Sequence, residues 1–338
     1  MTEYWWDGSG DDPELGELER HLHRLSFRET RAPGVPQLRS DEPPARRRRL
    51  AAWYRSAFGV VVAAACLLLG LALWSARARR AGWEVIALHG APRIGLTTIE
   101  GRGRWQPGET LETSAGGRAK ILVDDIGQVD VEPSTRLRLV SVQPGVRRLA
   151  LDHGMIRAFI KAPPRQFLVE TPGAVAADLG CAYSVQVGAD GEGLLRVSFG
   201  WVAFESQERE VYVPAGAACA LHPRTGPGTP YFEDASEPFR SALRQLDGVV
   251  GAVEERRPAF ETLLQEARAR DVLTLLQMLQ RITPDERARV CERAAMLLPP
   301  PPGVRLEAVA DGDAVAYDLW WRQLGLGDMK WWRIGRDH

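Results

Sequence analysis

The run from Ser56 to Ala76, SAFGVVVAAACLLLGLALWSA, constrains this chain more than any other stretch, because its 21 residues include no charged side chain. Arg55 and Arg77 bound it on either side. At about 1.5 Å of rise per residue, a helix of this length reaches roughly 31 Å, which matches a hydrocarbon core of about 30 Å. A helix also satisfies its own backbone hydrogen bonds in lipid, so the run predicts one transmembrane helix over 56–76.

Two other interpretations of this run are a buried core helix and a cleaved signal peptide. A core helix seldom needs so long an uncharged stretch between arginine clusters. A signal peptide has a short basic segment and a shorter apolar run, whereas more than fifty residues precede this one. Cys66 follows three alanines, as in a lipoprotein processing site, but the apolar segment LLLGLALW still comes after it. We therefore expect an uncleaved anchor.

The arginines around the span give a weak indication of its orientation. Five arginines precede the span and four follow it, which slightly favours a cytoplasmic N-terminus under the positive-inside rule. The margin is too small to decide the orientation alone. The preceding arginines are Arg46, Arg47, Arg48, Arg49 and Arg55, and the following ones are Arg77, Arg79, Arg80 and Arg93.

Residues 1–30 predict a short helical module that binds a partner. Asp12 can cap a helix whose first residue is Pro13, and four leucines then recur at helical spacing on one face. Such a stripe is typical of a helix that binds in a groove of another protein. The alternatives are a small hairpin folded onto the two preceding tryptophans, or a helix lying on the membrane. The predicted contact residues are Trp5, Trp6, Leu15, Leu18, Leu22 and Leu25.

A flexible basic linker over residues 31–55 is predicted to follow this module, because its first part is rich in proline and polar residues and its end is rich in arginine. The whole chain of 338 residues is too long for one compact domain plus a span. Its net charge of −1 gives no signature of nucleic-acid binding.

From residue 84 to about residue 223 the apolar residues alternate with polar ones, as in half-buried strands. Glycines separate these short segments near predicted turns, and helical patterns are almost absent. This spacing predicts an antiparallel all-β domain over 84–223. Representative segments are WEVIALHG, RAKILVDD, QVDVEPSTRLRLV, RRLALDHGMIRAFI, AYSVQV and LLRVSFGWVAFE.

The β region resembles the FecR domain of bacterial transmembrane regulators of extracytoplasmic-function sigma factors. Its short motifs occur in the expected order over roughly residues 84–222. One departure is Cys181, which stands where the family usually has threonine after the Leu-Gly pair. The motifs are Gly108 with Leu111-Glu-Thr113, Arg118-Ala-Lys-Ile-Leu-Val123, Val129-Asp-Val131-Glu-Pro133-Ser-Thr135, Leu149-Ala-Leu151-Asp-His-Gly154, Phe167-Leu-Val169-Glu-Thr171-Pro172, Leu179-Gly180-Cys181-Ala-Tyr183-Ser-Val185 and Val197-Ser-Phe-Gly200-Trp-Val202.

The resemblance implies a topology and a set of partners. It places the N-terminus in the cytoplasm, where the segment contacts a sigma factor, and the β domain in the periplasm, where it receives a signal from an envelope partner. The N-terminal segment also resembles the short helical modules of anti-sigma factors. His21 and His23, however, lack the cysteine companions found in the zinc-binding members of that group. We expect no metal, no cofactor and no direct nucleic-acid contact.

The last part of the chain, residues 236–338, predicts a small helical domain. Asp271 is expected to cap a helix carrying Val272, Leu275, Leu276 and Leu279. Thr283-Pro284-Asp285-Glu286 forms a capping box for a second helix that ends at Pro299. The pairs Trp320-Trp321 and Trp331-Trp332 are interpreted as core packing, with an aromatic binding surface as the alternative.

Motifs of catalysis are not found in the sequence. Gly101 and Gly103 precede Gln106, which stands where a dinucleotide-binding loop would have its third glycine. The pairs Asp124-Asp125 and Asp152-His153 are interpreted as turn residues at strand ends. We therefore expect no catalytic residue.

The cysteines do not form a CxxC motif. A Cys181–Cys219 disulfide is one prediction for the oxidising side of the membrane, and buried unpaired thiols are the other.

Together these patterns predict a multi-domain α+β membrane protein with a short N-terminal helix, one transmembrane helix, an antiparallel all-β FecR-like domain and a small C-terminal helical domain. The predicted function is a single-pass regulator of the bacterial inner membrane that controls a sigma factor and senses an envelope signal. The alternative is an envelope-binding or scaffold protein with a FecR-like domain and no sigma partner.

Overall fold

The structure is a computed structural model that describes residues 65–70, 82–207, 209–248 and 253–325. The chain divides into two compact units, Met1–Gly70 and Leu71–His338. In the first unit, the described residues 65–70 are helical. None of the helices in the described part of the chain is both long and apolar enough to span a membrane. Most of the predicted span 56–76 lies outside these residues, so the span stays a prediction.

Eighteen strands come first among the described residues of the second unit. Short strands separated by turns are what the alternating pattern predicts. The strands are β1 Trp83–His89, β2 Arg93–Ile94, β3 Thr97–Thr98, β4 Arg102–Trp105, β5 Thr110–Glu112, β6 Arg118–Val123, β7 Gly127–Val131, β8 Arg136–Gln143, β9 Val146–Ile160, β10 Phe167–Glu170, β11 Val175–Asp178, β12 Ala182–Val187, β13 Gly193–Phe199, β14 Trp201–Glu205, β15 Glu210–Pro214, β16 Ala217–His222, β17 Gly226–Pro227 and β18 Tyr231–Phe232.

These strands form two sheets. In the first sheet the order is β4, β1, β6, β7, β9, β12, β13, β16, with β17 and β18 both pairing with β16. In the second sheet it is β3, β2, β5, β8, β9, β10, β11, β14, β15. All the pairs are antiparallel except β9 with β10. The inner faces meet in one core, where the rings of Trp83 and Phe167 lie 6.2 Å apart.

Strand β9 belongs to both sheets, and Gly154 marks its crossing point. Residues up to His153 pair with β8 in the second sheet, and residues from Gly154 onward pair with β12 in the first. At Gly154 φ is +102°, and a Cβ there would lie 2.4 Å from Cα of Thr135. Only glycine fits this close approach. The predicted strand end at Asp152-His153 is therefore wrong, since both residues lie inside a continuous strand.

Helices follow the strands, as the sequence predicts for this region. They are α1 Glu237–Gly248, α2 Val253–Glu266, α3 Val272–Met278, α4 Pro284–Leu297, α5 Leu306–Ala310 and α6 Ala314–Arg322, with a 3₁₀ turn at Ala269–Asp271. The predicted capping box is confirmed: Thr283 Oγ1 accepts from the Glu286 amide, and the Thr283 amide donates to Glu286 Oε2 at 2.9 Å.

The predicted cap at Asp271 is wrong. Asp271 occupies the position before α3, but its side chain makes no capping hydrogen bond. Its buried carboxylate instead accepts hydrogen bonds from the amide and guanidinium of Arg268, at 3.0 and 2.8 Å from Oδ2. The nearby arginine is a stronger donor to a buried carboxylate than a helix amide is, because it also neutralises the charge.

The helices and the sheets share one hydrophobic core. Trp321 is buried and lies 6.3 Å from the ring of Tyr212 in β15, and Trp320 Nε1 donates to the carbonyl of Leu298 at 3.0 Å. The interpretation of Trp320-Trp321 as core packing agrees with these contacts. Strand pairing also continues past residue 223 to Phe232, so the sheets and the helices are parts of one compact unit.

Candidate functional site

An exposed apolar groove begins on the outer face of the first sheet and continues to β14 of the second sheet. Phe159 of β9 and Phe199 of β13 both pair with Ala182 of β12, so the two phenylalanines lie across three neighbouring strands. Their exposed fractions are 44% and 68%, although the positions next to Phe159 in β9 are buried. Large exposed aromatic side chains that lie together on a sheet are typical of an interaction surface.

Cavities extend from both sides of Phe199. One of about 490 Å³ is lined by Phe159, Pro163 and Cys181, and one of about 500 Å³ is lined by Trp201 and Leu324 among others. We name this surface the Phe199 groove and define it by Phe159, Phe199, Trp201 and Phe232. None of the motifs in the sequence indicates this groove. The available signal was Phe159, an aromatic residue at an outward position of an alternating strand.

A buried polar cluster lies beneath one end of the Phe199 groove. The Asp178 carboxylate has no exposed surface and accepts hydrogen bonds from the Gly180 amide at 2.8 Å and from Cys181 Sγ at 2.6 Å. Burial raises the pKa of Asp178 to about 6, although these hydrogen bonds act in the opposite direction. Burial and the Asp178 charge both raise the pKa of the Cys181 thiol. The cluster therefore combines an easily protonated acid with an unreactive thiol.

A second set of buried polar contacts joins the sheets to the helices. The side-chain amide of Gln277 in α3 accepts from the Tyr212 amide at 2.8 Å and donates to the Tyr212 carbonyl at 2.9 Å. These are the two hydrogen bonds that a neighbouring strand would make with β15. Because β15 is the last strand of its sheet, Gln277 closes an edge that could otherwise pair with another chain.

Asp247 at the end of α1 holds the same junction together. Its carboxylate accepts hydrogen bonds from the amide and hydroxyl of Thr229, at 2.7 and 2.9 Å, and it pairs with Arg281. Arg209 donates to the carbonyl of Pro227 at 3.2 Å, and burial lowers the pKa of Arg209 to about 10. The helical region is therefore fixed to the sheets through both apolar and polar contacts.

Comparison with known proteins identifies the part of the chain that carries the Phe199 groove and the Asp178 cluster. Residues 109–203 match the family model described as FecR protein. We call this part of the chain the FecR domain after that match. The resemblance drawn from the ordered motifs is confirmed for these residues. No curated protein matches the chain.

Two crystal structures of a candidate anti-sigma factor from Parabacteroides distasonis ATCC 8503 are similar to part of this chain. Each shares 18% identity, covers 40% of this chain and 64% of the other, and has a TM-score of 0.33. The chain thus spans less than two thirds of their length. A TM-score this low does not support a common overall arrangement, so these structures assign neither fold nor function here.

The FecR domain contains Cys181, while Cys219 lies beyond it in β16. Both are free and buried. Cys219 pairs with Leu195, which pairs in turn with Val185, so Cys219 and Val185 lie two strands apart. Val185 is itself four residues along the chain from Cys181. These spacings separate the two α-carbons by roughly 16 Å, whereas a disulfide requires about 4.4–6.8 Å. The strand register therefore excludes the predicted bridge in this structure.

We expect Cys181 and Cys219 to resist alkylation in the native protein, because both thiols are buried and burial raises the pKa of each. After unfolding without reductant, all four cysteines of the chain should react, as counted by mass spectrometry. If two cysteines of the unfolded sample react only after reduction, the protein contains a disulfide and this prediction is wrong.

The predicted partner-binding residues and the last tryptophan pair do not lie in the FecR domain. Trp5, Trp6, Leu15, Leu18, Leu22 and Leu25 lie outside the described residues, and so do Trp331 and Trp332. Asp124 and Asp125 lie at the turn between β6 and β7, where both pair with the buried Arg147. Among the described residues, no group of three or more His, Cys, Asp or Glu side chains could hold a metal ion.

Proposed function

We propose that the chain is a single-pass regulator of the bacterial inner membrane. Its N-terminal segment controls an extracytoplasmic-function sigma factor, and its FecR domain lies in the periplasm and receives a signal from an envelope partner. The FecR domain at residues 109–203 carries this proposal, because that family resemblance is what links the chain to sigma-factor control. The uncharged run 56–76 supports it by supplying a membrane span of sufficient length.

In this proposal the Phe199 groove receives the envelope partner. Phe159 and Phe199 are large, exposed and apolar, and aromatic side chains of this kind dominate the binding energy of many interfaces. Because the sheets and the helices share one core, a partner bound there acts on the whole unit 71–338. The mechanism contains no bond-making step.

Signal transfer requires that the envelope partner bind two states of the protein with different affinity. The N-terminal leucine stripe is the output of this coupling: it binds the sigma factor in one state and releases or presents it in the other. The contact uses Leu15, Leu18, Leu22 and Leu25 as a single apolar face.

We expect the double substitution Leu18→Ala and Leu22→Ala to weaken sigma-factor capture at least tenfold, since it removes apolar side chains from the centre of the stripe. The measurement is copurification of candidate extracytoplasmic-function sigma factors with the full chain in detergent. The matched control is Arg20→Ala with Arg24→Ala, on the opposite face of the same predicted helix, which should bind like the wild type.

Two results would contradict the regulator. One is equal weakening by both double variants. The other is failure of the wild-type chain to capture any sigma factor while it binds cell-wall material, which would favour the envelope scaffold instead.

A further inference from the structure

A second, polar groove lies at the border of the FecR domain, where one of its turns meets the strands and helices that follow it. It is a cavity of about 680 Å³ between the β12–β13 turn, the β16–β17 turn, helices α1 and α2, and the segment between α3 and α4. Basic side chains from three separate segments line it. We name it the arginine groove and define it by His222, Arg224, Arg256 and Arg281.

Two of these four basic side chains already have acidic partners. Arg281 pairs with the buried carboxylate of Asp247, and His222 Nδ1 lies 2.7 Å from Glu192 Oε2. Because a carboxylate only accepts, His222 Nδ1 carries the proton of that contact. Its Nε2 is buried and has no hydrogen-bond partner among the described residues.

The other two arginines have no partner within the described part of the chain. Arg224 is exposed and Arg256 is half-buried with its Nε fully buried, and neither side chain forms a hydrogen bond or ion pair there. A buried polar atom without a partner is unfavourable, so a site of this kind is more stable when an acceptor is bound. The remaining acid of the lining, Asp190, uses Oδ1 to accept from the Glu192 amide at 3.1 Å.

We propose that the arginine groove binds a phosphate group. The donors approach from three directions: Arg224 from the β16–β17 turn, Arg256 from α2 and Arg281 from the α3–α4 segment. A carboxylate presents its two oxygens in one plane, whereas the tetrahedral oxygens of a phosphate can meet donors from several directions. The phosphate belongs either to a soluble phosphate ester or to a phospholipid headgroup.

The test uses the full chain in maltoside micelles, which contain no phosphate, and isothermal titration calorimetry. One arm titrates glycerol 3-phosphate, and the other adds phosphatidylglycerol to the micelles. The groove variant is Arg224→Gln with Arg256→Gln. The control is Arg138→Gln with Arg305→Gln, which removes two exposed arginines that also lack partners among the described residues but lie outside the groove.

We expect the groove variant to raise the Kd at least tenfold and the control to change it less than twofold. Binding of glycerol 3-phosphate identifies a soluble ester as the source, and binding of phosphatidylglycerol alone identifies the headgroup. Sulfate should compete, and acetate should not. If the double variant fails to fold, Arg224→Gln alone repeats the test at an exposed position.

Three results would overturn the proposal. They are the absence of binding in both arms, equal weakening by the groove and control variants, and competition by acetate as strong as that by sulfate. The proposed phosphate site uses residues of the second unit only. Its test is therefore independent of the test for sigma-factor control.

Discussion

Replacing Gln277 with leucine is expected to lower the free energy of unfolding by about 2–5 kcal/mol, since each buried polar group that loses its partner costs about 1–3 kcal/mol. The substitution keeps a side chain of similar size but removes both hydrogen bonds to the Tyr212 backbone. Urea unfolding of the full chain in detergent, followed by tryptophan fluorescence, measures the loss. Trp321 reports on this site because its ring lies 6.3 Å from that of Tyr212.

The control for this variant is Gln280→Leu. Gln280, like Gln277, lines a cavity of about 480 Å³ between the strands and the helices, but Gln280 is exposed. Its replacement should therefore change the free energy of unfolding by no more than about 0.5 kcal/mol. Gln277→Leu should also self-associate more than the control in sedimentation experiments, because the edge of β15 becomes available for pairing. Equal stability of the two variants would show that Gln277 does not hold the sheet and the helices together.

The second expected result concerns pH and Asp178. Burial raises the pKa of this carboxyl from 3.8 to about 6, so the folded protein binds the proton more tightly than the unfolded chain does. The stabilisation from that proton is complete below about pH 3.8 and is lost as the pH rises through about 6. At 1.36 kcal/mol per pKa unit, the full effect is about 3 kcal/mol, of which about 2 kcal/mol falls between about pH 4.5 and 7.5.

Asp178→Asn removes this titration. Between about pH 4.5 and 7.5, the wild type should therefore lose about 2 kcal/mol of stability relative to the variant, measured by urea unfolding at both pH values. Asp125→Asn is the control, because it removes the same charge from an exposed turn position. Its free energy of unfolding should change with pH as that of the wild type does. If the Asp178 variant and the wild type respond to pH in parallel, Asp178 does not titrate in this range.

Much of the second unit could be predicted from local sequence patterns. The alternation of apolar and polar residues predicted the strands, and the ordered motifs predicted the FecR domain. The capping box at Thr283 and Glu286 was predictable because its contacts lie within four residues. The leucine stripe at 1–30 and the span at 56–76 stay predictions, since most of these residues lie outside those described.

Contacts between distant residues could not be predicted in the same way. Gln277 meets Tyr212 across 65 positions, and nothing around either residue indicates the other. Gly154 follows the pair Asp152-His153, which the sequence predicts to lie in a turn at a strand end. Its role depends on Thr135, which comes close only once β8 and β9 have paired. The arginine groove likewise needs three separate segments to assemble before its basic side chains meet.

The passage of β9 through both sheets has a mechanical consequence. Its first half is bonded to β8 and β10, and its second half to β7 and β12. Sliding or hinging one sheet against the other would break ladders along a single continuous 15-residue strand. The two sheets should therefore move together as one stiff body, by rotation or displacement of the whole and not by sliding past each other.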